Sequence, residues 1–392
     1  MSQPLKLDVA IFGGGIAGLW TLSRLLKQGF SAHLFECHQV GGGQSIASQG
    51  IIHGGTKYAL TGKITGASEA IREMPAIWNQ CLAGKGEIDL SEVKVNSTHQ
   101  LLWTQANMKS KVGGFFASKV MSSRMTKLQA DEVPEIFRDA KFKGTVYRLD
   151  EQVLDPKSLF QCLFNQLSEY ISFYSASQLA LNSGSNSQFK INALSFDAKA
   201  IIFAAGEGNE QLLQNAGLKQ PLMQRRPLHM PMVRSPSLPQ LTAHALGDGT
   251  VPRMTITANT DQSGHVIWYL GGKIAEEGVS STADELIPKA KGELHNLLPW
   301  MDWHSMEWST LMINRAEPLI ADGSRPDRPY VQRNKNVITA WPVKLAFAPL
   351  VAKEIEDKVR GLGVEPSHSK VVTGLPKPPL SNLPWDEVIS WT

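Results

Sequence analysis

Residues 6–36 read KLDVAIFGGGIAGLWTLSRLLKQGFSAHLFE, and this stretch decides the fold. Val9-Ala10-Ile11-Phe12 is an apolar run of strand length, too short for a membrane span or the core of a leader. Gly13-x-Gly15-x-x-Gly18 follows at once. From Ile16, the residues Leu19, Trp20, Leu22, Leu25 and Leu26 recur at helical spacing, and Gly29 is suited to end that helix. A second apolar strand over 31–35 ends at Glu36, 18 residues past the last glycine. Strand, glycine turn, helix and strand within about 30 residues make a right-handed βαβ unit.

A short glycine pattern alone is weak, but this context gives each glycine a task. Gly13 permits the tight turn, Gly15 admits an anionic group to the backbone, and Gly18 lets helix and strand close up. The free amides and positive end of the helix suit a pyrophosphate. Glu36 is placed to accept hydrogen bonds from ribose hydroxyls, which disfavours a 2′-phosphate there. A dinucleotide is therefore expected, either NAD or FAD. NAD enzymes usually continue the βαβ alternation at this point. Here the chain enters a loop of small and hydroxyl residues, 40–55, suited to a cofactor that extends well past its pyrophosphate.

Composition narrows the class. The chain has 392 residues, 42% of them hydrophobic, which suffices for a large core and argues for two domains. Its 33 glycines and 22 prolines are near ordinary usage, so collagen-like and low-complexity chains are excluded. A net charge of +3, with only short basic clusters such as Lys109-Ser110-Lys111 and Arg225-Arg226, gives no sign of a nucleic-acid partner. Three scattered cysteines (Cys37, Cys81, Cys162) make neither a disulfide framework nor a zinc site, so no metal is expected and a reducing, cytoplasmic setting fits.

Further along, periodicity predicts helices over 68–81, 157–170, 282–298 and 345–360. Strands are expected at 92–102, 144–148, 171–181, 188–194, 200–204 and 336–340, and an antiparallel set at 228–234, 253–258 and 265–271. Residues 366–384 hold five prolines and read as an extended surface tail. The tryptophans at 300, 303 and 308 read either as packing between domains or as an exposed patch for peripheral contact with the inner face of a membrane.

At the loop Gly50-Ile-Ile-His53-Gly-Gly-x-x-Tyr58 the sequence resembles the FAD-dependent oxidoreductases of the D-amino acid oxidase superfamily. It looks most like the branch of glycerol-3-phosphate dehydrogenases and L-2-hydroxyglutarate dehydrogenases. Leu154-Asp155-Pro156, Ala204-Ala205-Gly206, Arg315-Ala-Glu-Pro318 and Gly323-Ser-Arg-Pro-Asp-Arg-Pro329 extend the likeness over about residues 6–360. It implies an α/β fold in which a Rossmann-like FAD-binding parallel-sheet domain (1–80, 145–225, 310–365) is interleaved with an antiparallel-sheet substrate domain (81–144, 226–309), followed by the tail 366–392.

By the same resemblance, Gly13, Gly15 and Gly18 would hold the pyrophosphate and Glu36 the adenosine ribose. Gln44, Ser45, Ser48 and Gln49 would line the diphosphate and ribityl chain, and the backbone near Leu179 would meet the adenine. Ala205 and Gly206 would approach the cofactor closely, while Val343, Lys344 and Leu345 would face the flavin pyrimidine. Many members carry glycines at that last turn, where this chain reads Trp341-Pro342-Val343-Lys344-Leu345. Lys344 reads either as a cation beside the flavin or as a solvated lysine.

For the chemistry, His53 reads as a base, a packing residue or a covalent tether, and Arg315 as an anion anchor or a structural ion pair. Lys273 could face the site or merely close its strand; Lys57, Tyr58, Thr255, Thr257 and His265 are weaker candidates. The expected reaction is dehydrogenation of a small anionic CH–OH substrate, with oxygen or a quinone as electron acceptor. The alternatives are oxidation of a CH–NH bond, or a flavin-binding protein whose main role is partner interaction.

Overall fold

The computed structural model describes residues 3–55, 66–105, 125–181, 187–247, 251–388 and 390–392. Two eight-stranded sheets organise them. In the first, Ile171–Phe173, Ala32–Glu36, Leu5–Phe12, Leu194–Phe203 and Val337–Trp341 lie side by side and parallel. Tyr330–Asn334 adds an antiparallel edge, and the Leu179–Leu181 and Gln188–Ile191 strands branch from the long central strand. The register pairs Phe12 with both Phe35 and Phe203, so Gly13, Glu36 and Ala204 emerge at one carboxyl edge. Open parallel sheets bind their ligands at that edge.

Both faces of this sheet are covered, as parallel sheets require. On one side the Ile16–Lys27 and Ala348–Arg360 helices pack together, with Arg24 Nε donating to Glu356 at 2.6 Å. On the other, Phe12, Phe35, Tyr174, Phe189 and Phe196 form an aromatic layer with ring centroids 4.8–5.8 Å apart. The Pro156–Leu167 helix starts where expected, because Asp155 accepts from the Ser158 amide at 2.7 Å and proline occupies the first turn.

The second sheet runs Glu307–Pro318, Met223–Ser235, Val266–Gly271, Met254–Thr260, Ala243–Ala245, Gln100–Thr104, Thr145–Leu149 and Met125–Lys127. All its pairings are antiparallel except that of Ala243–Ala245 with Gln100–Thr104. The Ala283–Leu297 helix covers it, opened by a Thr282–Glu285 capping box.

Two expectations are corrected. The Thr145–Leu149 strand belongs to the second sheet, although the sequence assigned 145–225 to the first domain. Glu307–Pro318 pairs along its whole length with Met223–Ser235, so the expected boundary at 310 cuts a strand. A strand's partner is chosen by distant chain, which its own pattern does not record. Of the three tryptophans whose reading was left open, Trp303 and Trp308 are buried, and the half-buried Trp300 donates its indole N–H to the Ile136 carbonyl. No helix among the described residues is long and apolar enough to cross a membrane.

The tail is extended but is more than a surface strand. It exchanges backbone hydrogen bonds with Val40 through Pro379 and Ser381, and with Trp308 through Thr392. Between these points Trp385 is buried, with its ring centroid 5.7 Å from that of Tyr269 in the second sheet.

Candidate functional site

The glycine turn is as tight as its sequence requires. Gly13 has φ +113°, and a Cβ there would come within 2.5 Å of Ala205 Cα. A Cβ on Gly18 would stand 1.9 Å from the Gly13 carbonyl oxygen. Gly15 opens the Ile16–Lys27 helix with no side-chain cap of its own, and the Ile16 amide donates instead to Ser45 Oγ at 3.2 Å. Glu36 lies beside this turn, accepting from the Gly14 amide at 2.5 Å and the His38 amide at 2.7 Å. Ala205 and Gly206 form the opposite lip, fixed by the Trp341 indole donating to the Gly206 carbonyl at 2.9 Å.

A groove with about 1230 Å³ of open space runs from Glu36, Cys37 and Tyr174 past the three glycines to Ile313 and Pro342. It continues into a chamber walled by Gln44, Ser45, Ser48, His53, Arg315 and Lys344 among others. Ile16, Gln44, Ser45, Ile313 and Pro342 line both, making one trough between the sheets. The loop 40–55 is tied across it. Gln44 Oε1 accepts from the Ala316 amide at 2.8 Å, and Gln49 Nε2 donates to Tyr269 O at 3.1 Å and Thr257 Oγ1 at 3.3 Å. Ser48 Oγ is buried in the wall without a hydrogen-bond partner among the described residues.

The far wall is the Pro342–Leu345 turn. Val343 has φ +63°, a conformation rarely adopted by a β-branched residue, and Lys344 Nζ stands 5.5 Å from the centre of the Phe347 ring. His53 lines the chamber with Nδ1 3.3 Å from Oε2 of Glu151, which is itself buried. Arg315 is held from behind by donating Nε–H to the Arg226 carbonyl at 3.0 Å, with Glu276 at 3.7 Å. Burial, together with the positive charges of Arg226 and Arg325, pulls its pKa down to about 10, so it stays cationic at neutral pH.

Other expected residues are not brought there. Lys273 is mostly exposed and pairs with Glu277 at 3.3 Å, one turn along its helix. Leu179 packs against the aromatic layer, and Tyr174 stands at the groove instead. Thr255 and Thr257 are buried behind Gln49, and His265 lies against Asp261. Lys57 and Tyr58 lie outside the described residues. Among the described residues no cluster of three or more His, Cys, Asp or Glu could hold a metal.

The model of the family of FAD dependent oxidoreductases called DAO matches residues 8–357. The chain belongs to this family. A curated relative, the probable FAD-dependent oxidoreductase PA4991 of Pseudomonas aeruginosa, is 41% identical over 98% of this chain and 99% of its own. Its crystal structure superimposes with a TM-score of 0.86 at 37% identity, covering 98% and 99% of the two chains. Glycine oxidase from Geobacillus kaustophilus (TM-score 0.64, 17% identity, covering 91% and 95%) shares the fold. So does L-α-glycerophosphate oxidase from Mycoplasma pneumoniae with FAD bound (TM-score 0.64, 14% identity, covering 97% and 99%). The protein is an FAD-dependent oxidoreductase.

The trough fits that cofactor. Its helix N-terminus takes no cap from Gly15 itself, its glycine turn has no room for side chains, and the buried Ser48 hydroxyl has no protein partner among the described residues. The sequence reading missed Glu151, Arg226, Glu317 and Arg325. Arg226 holds Glu317 through two contacts, at 2.7 and 3.2 Å, and Arg325 stands on the chamber wall. Glu317 and Arg325 lie inside motifs quoted above without a role, while Glu151 and Arg226 are marked only by partners distant in sequence, His53 and Glu317.

Proposed function

We propose that this flavoprotein dehydrogenates a small anionic substrate at a CH–OH carbon, a 2-hydroxy acid or a polyol phosphate. This would place it on the branch of glycerol-3-phosphate and L-2-hydroxyglutarate dehydrogenases. The observation that carries the reading is that His53 and Arg315, far apart in sequence, wall one chamber beside the flavin loop.

In this reading Gly13, Gly15 and Gly18 hold the pyrophosphate, Glu36 the ribose, and Ala205 and Gly206 the close backbone approach. Gln44, Ser45 and Ser48 line the diphosphate and ribityl chain, and Gln49 holds their loop in place. The turn Val343, Lys344 and Leu345 faces the flavin pyrimidine, where the Lys344 ammonium favours developing negative charge. FAD supplies the hydride-accepting chemistry, with oxygen or a quinone taking the electrons onward.

Oxidising CH–OH to C=O also releases the hydroxyl proton, and the chain itself must take it. Arg315 holds the substrate anion by charge-assisted hydrogen bonds, and His53 Nε2 accepts the proton. An amino group already loses its proton to water for a fraction of the time; a hydroxyl does not. A base in the chamber therefore favours the CH–OH substrate.

The test is anaerobic bleaching of the flavin by a panel: 2-hydroxy acids, polyol phosphates, and amino acids or secondary amines. Bleaching by a hydroxy acid or polyol phosphate is expected; bleaching by amines alone overturns the reading. No bleaching, together with a co-purifying protein, would make interaction the main role. Arg315→Ala should raise the apparent KM for the anionic substrate by on the order of 10- to 100-fold, and an unchanged KM removes it from the site. His53→Ala should slow flavin reduction by roughly 10²–10⁴-fold.

A further inference from the structure

Three cationic side chains share the chamber walls with His53, which bears on its use as a base. Arg315, Arg325 and Lys344 stand on its walls, and Glu317 is taken up by Arg226. Neighbouring cations disfavour the imidazolium that His53 must become on accepting a proton. A group behind the ring can offset them and fix which nitrogen carries the proton.

Glu151 is placed for both tasks. It follows the Thr145–Leu149 strand, is 4% exposed, and does not line the chamber itself. Its Oε1 accepts from the Gly54 amide at 2.8 Å, pinning the backbone next to His53. Its Oε2 lies 3.3 Å from His53 Nδ1 and 3.3 Å from Nε2 of Gln100, a fully buried residue of the second sheet. Both oxygens are thus directed by buried donors, and one reaches the imidazole. A carboxylate accepts only, so a hydrogen bond here puts the proton on Nδ1 and leaves Nε2 as the acceptor.

We propose that Glu151 is the positioning residue of the proton-accepting step. It holds His53 in the Nδ1–H tautomer and stabilises its imidazolium, while Gln100 and the Gly54 amide hold Glu151. One proton passes from the substrate hydroxyl to Nε2. The Nδ1 proton stays in place, and Glu151 remains ionised throughout, as in other carboxylate–histidine pairs. The inference rests on the reading of His53 as the base, but it predicts properties of the ring that need no substrate.

The experiment uses FAD-loaded protein labelled with ¹⁵N-histidine, with the His53 signals assigned by their loss in His53→Ala. In the wild type, His53 should be the Nδ1–H tautomer above its pKa. Glu151→Gln keeps an acceptor for the Gly54 amide but loses the charge, and should lower the His53 pKa by about one unit or more. An Nε2–H tautomer in the wild type, or an unmoved titration in the variant, overturns the proposal. With a panel member that bleaches the flavin, Glu151→Gln should cut the reduction rate at least tenfold with KM little changed, and Glu151→Asp should restore part of it. In a His53→Ala background, Glu151→Gln should cost nothing further; an equal loss in both backgrounds refutes coupling through the ring. Should Glu151→Gln bind FAD poorly, Gln100→Leu gives the second variant, expected to shift the His53 titration and leave FAD affinity unchanged. If His53→Ala reduces flavin at the wild-type rate, the base reading fails, and that result is distinguishable from a failure of Glu151 alone.

Discussion

At the scale of single residues, the site combines positions that only one side chain can fill with one that holds the wrong side chain for its backbone. Gly18 is of the first kind, since its missing Cβ would overlap the Gly13 carbonyl. Gly18→Ala should therefore abolish FAD retention, checked by the flavin absorbance of the purified protein. Val343 is of the second kind. Its φ of +63° costs on the order of 1–3 kcal/mol in a β-branched residue, more than the extra unfolded-state freedom of glycine. Val343→Gly should raise stability by about 1 kcal/mol, read from the urea midpoint of the apo form. A lower midpoint would mean that the valine side chain matters more than its backbone strain. The glycine turn was legible in sequence because close approach is a local demand on local residues. The pairing of Glu151 with His53 was not, because it joins residues 98 positions apart through a fold that neither specifies.

At the scale of elements, the βαβ unit and most helices followed from periodicity, since apolar spacing reports a buried face directly. The Glu307–Pro318 strand escaped because Ile313 and Arg315 line the trough, while Thr310, Leu311 and Met312 border a second groove; no polar face alternates with an apolar one. The Ala32–Glu36 strand carries its own pH response. His33 sits in its middle, 2% exposed, its Nε2 2.8 Å from Ser172 Oγ. Burial first, and then the charge of Lys377, hold its pKa down at about 4 against 6.5 for the free side chain. The native state thus keeps His33 neutral while the unfolded chain protonates. Its contribution is full above pH 6.5 and is lost as pH falls toward 4, by up to about 3 kcal/mol. Urea midpoints at pH 7 and pH 5 should differ clearly in the wild type and less so in His33→Phe; equal pH responses would clear His33 of the effect.

At the scale of the whole molecule, the trough takes one wall from each sheet, so cofactor binding is also a measure of how the sheets are held together. FAD at a hundredfold excess over its Kd should add about 2.7 kcal/mol to the stability of the apo form. Trp385→Ala should remove about 3–5 kcal/mol, the usual cost of emptying a buried indole site, and weaken FAD retention with it. Loss of stability with FAD affinity untouched would separate the tail from the trough. The two-sheet plan was legible from the family motifs, but its seams were not. Where chain passes from one sheet to the other depends on which strands pair, as at Thr145–Leu149 and 307–318.

The clamp on the flavin loop is built in layers: Trp385 packs on Tyr269, and the Tyr269 hydroxyl donates to the Ala47 carbonyl at 3.2 Å. The glycine turn at residues 13–18 is synthesised about 370 residues before Trp385 of this outer layer. At 5–20 residues per second, roughly 20–70 s separate the two. For that interval the nascent chain carries the anion-binding residues without the outer layer of the clamp. Stable capture of the dinucleotide therefore waits until synthesis has passed Trp385 and its indole has packed on Tyr269.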